Sequence, residues 1–130
     1  MIMRAKQEGN TVVFELEGHL DFETIVKFEE ACVQVLAQST EQRLVVNMKN
    51  LRFVGSSGIN QFVKVLKGIN SREIKPRLCQ VSSEFEKILR ALQTVRHPFE
   101  ILESEATALV AFDSPEISAN GKRSKRKGTA

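Results

Sequence analysis

This 130-residue sequence predicts an α/β fold: a mainly parallel or mixed sheet of about four to five strands, with about four helices packed on it. Three observations carry the reading. Strand-like and helix-like hydrophobic patterns alternate from residue 11 to residue 112, as successive βαβ crossovers require. Residues 44–48, Leu-Val-Val-Asn-Met, are nearly unbroken apolar chain, which suits a strand covered on both faces. After residue 113 the composition changes to Ser, Asn, Gly and Lys, which cannot offset its own ordering entropy by burial. A single domain over 1–113 and a disordered basic tail over 114–130 are therefore expected.

The elements follow in order. Residues 12–17 alternate as Val-Val-Phe-Glu-Leu-Glu, which suits a half-buried strand ended by Gly18; a short strand near 3–6 pairs with it through the turn Glu8-Gly9-Asn10. Asp21 is a candidate N-cap for a helix over 22–37, whose apolar stripe is Phe22, Ile25, Phe28, Cys32 and Leu36. The buried strand at 44–48 leads through residues 51–55 into a second helix over 57–69. Its stripe is Ile59, Phe62, Val63, Leu66 and Ile69, with Asn60, Gln61, Lys64 and Lys67 on the wet side. Pro76 opens a strand over 77–81. Ser83 and Glu86 read as a capping box for a helix over 84–93. A short strand at 99–102 and a helix from Ser104 to about residue 112 complete the pattern.

Composition narrows the function. Eight Phe with no Trp or Tyr leave the core to Val, Ile, Leu and Phe, and offer few stacking platforms for single-stranded nucleic acid. The net charge of +3 is unevenly spread. Lys122, Arg123, Lys125, Arg126 and Lys127 crowd the tail, while residues 1–120 carry 14 basic against 16 acidic side chains. A solvated tail is the simplest expectation, although such a cluster also attracts nucleic acid or anionic lipid at long range. Cys32 and Cys79 lie among apolar neighbours and form no CxxC, so two buried thiols in a reducing compartment are expected, with no metal site. The amino-terminal residues lack the apolar stretch of a secretory signal, and no run approaches the roughly 18 apolar residues of a membrane span. A cytoplasmic location is expected.

Residues 54–59, Val-Gly-Ser-Ser-Gly-Ile, stand where a buried strand turns into an amphipathic helix. Backbone N–H groups at a helix start lack helical partners, and the macrodipole is positive there. A serine hydroxyl at that point can cap the helix, and a phosphate there would meet N–H donors. Both readings of Ser56-Ser57 are open on local sequence, while Gly55 and Gly58 keep bulk away from the pair. Enzymatic readings fail: Ile59 stands where a nucleophile elbow requires its second Gly, and neither a phosphate loop nor a dinucleotide fingerprint occurs. His19 and His97 read as solvated loop residues outside any acid–base motif. Asp21 reads as an N-cap, or as a cap that also presents a carboxylate beside the serine segment.

These residues, in this order and spacing, resemble the STAS domain of bacterial anti-sigma factor antagonists. Gly18-His19-Leu20-Asp21 is similar to that family's Gly-x-Leu-Asp turn, residues 44–48 and 51–54 to its central strand and approach, and Ser56-Ser57-Gly58-Ile59 to its Ser-Ser-Gly-Leu/Ile element. The resemblance covers about residues 3–112. It implies a phosphoacceptor at Ser57 and a switch surface formed by Asp21, Gly55, Ser56, Ser57, Gly58, Asn60 and Gln61. It implies as partners an anti-sigma factor that is also a serine kinase, and a phosphatase that reverses the modification. The ATP of that cycle belongs to the kinase, so no cofactor is expected in this chain. Many phosphorylated members carry Asp immediately before the serine pair, where this chain has Gly55. Two other roles occur among proteins with this domain: an unphosphorylated accessory subunit of a lipid-transporter ATPase, and a small-ligand or nucleotide-binding module.

Overall fold

The computed structural model describes residues 1–38, 42–52, 58–72 and 75–113, with backbone alone for 111–113. In chain order the elements are β1 (Ile2–Glu8), β2 (Thr11–His19), α1 (Phe22–Gln38), β3 (Arg43–Arg52), α2 (Ile59–Asn70), β4 (Arg77–Cys79), α3 (Ser83–Leu92), β5 (Glu100–Leu102) and α4 (Glu105–Asp113). Among the described residues these strands form one five-stranded sheet in the order β1-β2-β3-β4-β5. β1 runs antiparallel to β2, joined at Gly9 (φ 61°), and the remaining pairs are parallel. The alternation of patterns thus becomes a run of βαβ units preceded by a hairpin.

Strand alternation sends Val12, Phe14 and Leu16 to one face and Val13 to the other. On the first face lie α1, α2 and α3, over a core that includes Phe28, Cys32, Leu44, Val46, Phe62, Leu66, Phe85 and Leu89. Four phenylalanine rings run through it. Phe14 meets Phe28 edge-on at 6.3 Å, Phe28 lies 5.4 Å from Phe62, and Phe62 stacks on Phe85 at 5.9 Å. Each such pair adds about 0.5–1.5 kcal/mol beyond the area it buries, so the rings join β2 and three helices. The second face is covered by α4 over a smaller cluster of Val13, Val45, Cys79 and Ala108. A polar clip fastens that side: Glu105 accepts from Lys6 Nζ (2.7 Å) and from Asn47 Nδ2 (3.0 Å). Burial pushes the Glu105 carboxyl upward, but these hydrogen bonds outweigh it and leave the pKa below the ordinary value.

Several sequence expectations need correction. The strand at 12–17 is not half-buried at its start, since Thr11 through Phe14 are all buried; α4 covers the face that alternation had assigned to solvent. Gly18 does not end β2. It adopts φ 91°, open to glycine without strain, and the strand runs on to exposed His19. Phe22 is 61% exposed although it shares the stripe of α1, because it opens the helix and Leu20 fills the core beneath. The cap of α3 is Ser82, whose hydroxyl accepts from the Phe85 N–H at 3.2 Å. Glu86 reaches instead toward Arg90 at 3.7 Å, so the expected capping box is absent. β4 stops at Cys79, because Gln80 turns the chain at φ 57°.

Candidate functional site

The carboxyl ends of β2 and β3 carry the residues singled out in the sequence. Past β2, buried Leu20 anchors the chain and Asp21 caps α1: Oδ1 accepts from the Thr24 N–H at 2.9 Å, and its carbonyl accepts from the Ile25 N–H at 3.0 Å. The second carboxylate oxygen, Oδ2, accepts from the Met1 α-ammonium at 2.8 Å. The ammonium, followed by the Thr24 N–H, holds the Asp21 pKa down to about 2. Asp21 is therefore a cap, as expected, and its free oxygen is occupied by a cation that sequence patterning gave no means of finding.

Across from it, α2 begins at Ile59 and not at residue 57. Gly58 is its N-cap, left-handed at φ 85°, ψ −18°, and its carbonyl accepts from the Phe62 N–H at 2.8 Å. The cap position expected for Ser56 thus belongs to Gly58. A Cβ there would stand 3.2 Å from Ile25 Cδ1 and 3.4 Å from Leu20 Cβ, so the start of α2 is pressed against the start of α1. This contact brings Gly58 beside the Leu20-Asp21 turn. On the first turn of α2, Asn60 is exposed and Gln61 half-buried, with no acidic residue among them. Gly55, Ser56 and Ser57 lie outside the described residues.

Two open cavities lie at the same edge. One, of about 570 Å³, includes Met48, Gln80, Ser82, Glu86 and Glu103 in its lining. The other, of about 410 Å³, lies between the ends of β2 and β3 and is lined in part by Glu17, His19, Lys49 and Arg52. Of the two histidines, His19 is exposed, and the His97 carbonyl accepts from buried Asn70 at 2.8 Å. Cys32 and Cys79 are buried, free and in separate clusters on opposite faces of the sheet. Burial raises both thiols, Cys79 to about 12. Thiolate chemistry at either is therefore suppressed. Among the described residues no three His, Cys, Asp or Glu side chains gather as for a metal ion, and no helix is long and apolar enough to cross a membrane.

The family model for the STAS domain matches residues 3–108. The chain belongs to the STAS domain family. Solved STAS-like structures agree in fold. The phosphorylated form of SpoIIAA, a cell fate determinant of Bacillus, superposes with a TM-score of 0.62 at 17% identity, over 84% of this chain and 97% of that one. A serine-to-glutamate variant of RsbS from Moorella thermoacetica gives 0.66 at 12% identity, over 85% and 94%. The murine anion transporter Slc26a9 gives 0.60 at 14% identity, over 85% of this chain but 19% of that much longer one. No curated protein sequence matches the chain.

Proposed function

We propose that this STAS protein is an anti-sigma factor antagonist-like regulator. In its unmodified form it binds a partner-switching anti-sigma factor with serine kinase activity, and phosphorylation of Ser57 releases it until a phosphatase restores it. The observation that carries the reading is the placement of the Ser56-Ser57 pair directly ahead of Gly58, the N-cap of α2. Family membership supports it, as does the fold shared with SpoIIAA, whose superposed structure is a phosphorylated form.

The physics is consistent. Phosphate adds about −1.5 to −2 charge. Near a helix start with a glycine cap and no acidic first turn, that charge meets the positive end of the macrodipole and little repulsion. The fold should tolerate it. A partner surface that must desolvate the same spot should not. Asp21, Gly55, Gly58, Asn60 and Gln61 complete the proposed switch surface. The chain acts in this reading by binding, in the cytoplasm, with no catalytic residue or cofactor of its own; residues 1–113 are the domain and 114–130 a basic appendage.

A second reading is favoured by one feature. Gly55 stands where many phosphorylated members carry Asp, which suits an unphosphorylated accessory subunit of a lipid-transporter ATPase. Intact mass of the protein purified from its native host, before and after phosphatase, separates the two. A phosphatase-sensitive mass increase that maps to Ser57 is expected. An unmodified chain under every growth condition, co-purifying with a membrane ATPase, would transfer the assignment to the second reading.

A further inference from the structure

Lys49 and Arg52 of β3 and His19 of β2 line one open cavity of about 410 Å³ at the carboxyl edge of the sheet. The register places His19 directly beside Arg52. Between Asn47 and Asn50 the pairing slips, so that β3 holds one residue more than β2. Lys49 sits in that bulge, its N–H donating to Asn47 Oδ1 at 2.9 Å. Bulges re-aim side chains, and Lys49 lines both the cavity shared with His19 and Arg52 and its neighbour.

Two nearby acids are engaged elsewhere, and Lys49 also lines the neighbouring cavity that carries Glu86 and Glu103. Glu17, on the cavity wall, accepts from Arg4 at 2.7 Å, and Asp21 holds the Met1 ammonium at 2.8 Å. Among the described residues no carboxylate lies within ion-pair distance of Lys49 or Arg52. Two permanent cations and an imidazole therefore share one concave patch whose lining carboxylate, Glu17, is already paired with Arg4.

We propose that this patch docks a short acidic segment of a protein partner, with carboxylates against the Arg52 fork and the Lys49 ammonium and a hydrogen bond from His19. All three side chains are exposed, whereas a small-molecule site encloses most of its ligand. A nucleic-acid track requires an extended basic stripe; here the cations are confined to the ends of two adjacent strands. A few carboxylates on an extended chain, about 7 Å apart on one face, match a cluster confined to two adjacent strand ends. Exposed charge pairs of this kind set the approach and orientation of a partner more than final affinity. Arg52 precedes Ser57 by five positions in the sequence, so the patch would orient a partner that reads Ser57. The inference rests on the partner-binding reading above but does not require phosphorylation.

An NMR titration of the full chain at low salt with a synthetic Glu-rich decapeptide, and with its Gln counterpart, tests it. Amide shifts are expected at Gly18, His19 and residues 49–52 with the Glu peptide only, separately from any shifts at 122–127. Lys49→Gln with Arg52→Gln should weaken the response at the patch about fivefold or more, while Lys64→Gln with Lys67→Gln on α2 should not change it. Each single substitution serves if the double variant's spectrum shows misfolding. Shifts confined to 122–127, or an undiminished response in the Lys49/Arg52 variants, would overturn the proposal. So would a single-stranded oligonucleotide of equal charge shifting the patch at lower concentration than the peptide. A Ser57 that is never phosphorylated leaves this result untouched, and a silent patch leaves the phosphoswitch to be judged by mass.

Discussion

The amino-terminal ends of α1 and α2 meet at one edge of the sheet, yet they are closed in different ways. α1 is fastened by a side chain: Asp21 takes the Thr24 N–H with one oxygen and the Met1 ammonium with the other. α3 and α4 use the same device, with Ser82 and Ser104 accepting from the Phe85 and Thr107 N–H groups. α2 has only Gly58, left-handed and pressed on Leu20 and Ile25. Packing, not capping, shapes its start. The difference teaches where the molecule can accept a new negative charge: Asp21, beside the Leu20 that packs on Gly58, is already paired, and the first turn of α2 carries no acid.

The largest expected effect comes from making the start of α2 resemble an ordinary one. Gly58→Ala places a Cβ in a left-handed conformation and 3.2 Å from Ile25 Cδ1, for a loss of about 2 kcal/mol in a denaturation experiment. A variant as stable as wild type would show that the glycine is not required by this contact. The next effect lies in binding. Ser57→Glu should melt close to wild type while weakening the partner-kinase complex about tenfold, or about 1.4 kcal/mol, and Ser57→Ala should bind and resist release. Equal affinities for the two variants would remove the switch from this helix start.

At α1 the expected change is smaller. Asp21→Ala should lower the melting temperature by a few degrees through loss of the cap. Because the Asp21 pKa is depressed to about 2 from an ordinary 3.8, its contribution is present above about pH 4 and is lost as pH falls toward 2. The variant's deficit should therefore shrink in acid; a deficit independent of pH would exclude the ion pair as its source. Smallest of all is Ser56→Ala. With Gly58 as the N-cap, the loss of about 1 kcal/mol expected of a capping serine should be missing from its melting curve. A full-sized loss would restore Ser56 as a structural residue.

Much of this was legible in residue order. Alternating periods of two and near four along residues 11–112, the apolar run Leu44-Val45-Val46 and the cap at Asp21 predicted the layered α/β architecture and the first helix start, because burial and capping leave local marks. The Ser56-Ser57-Gly58-Ile59 string gave the family and the candidate switch. Other features depend on residues far apart in the chain. Thr11 and Val13 are buried because α4, some ninety residues later, folds back over their face. The left-handed cap at Gly58 exists because Ile25 and Leu20 stand where a side chain would go. Lys49 joins His19 and Arg52 only because β3 gains a bulge against β2. Sequence alone determined which segments are strands and helices, since periodicity is a local property of the chain. Tertiary structure decided which helix starts are capped by side chains and which cations gather at one cavity, since both depend on packing between elements that sequence spacing does not encode.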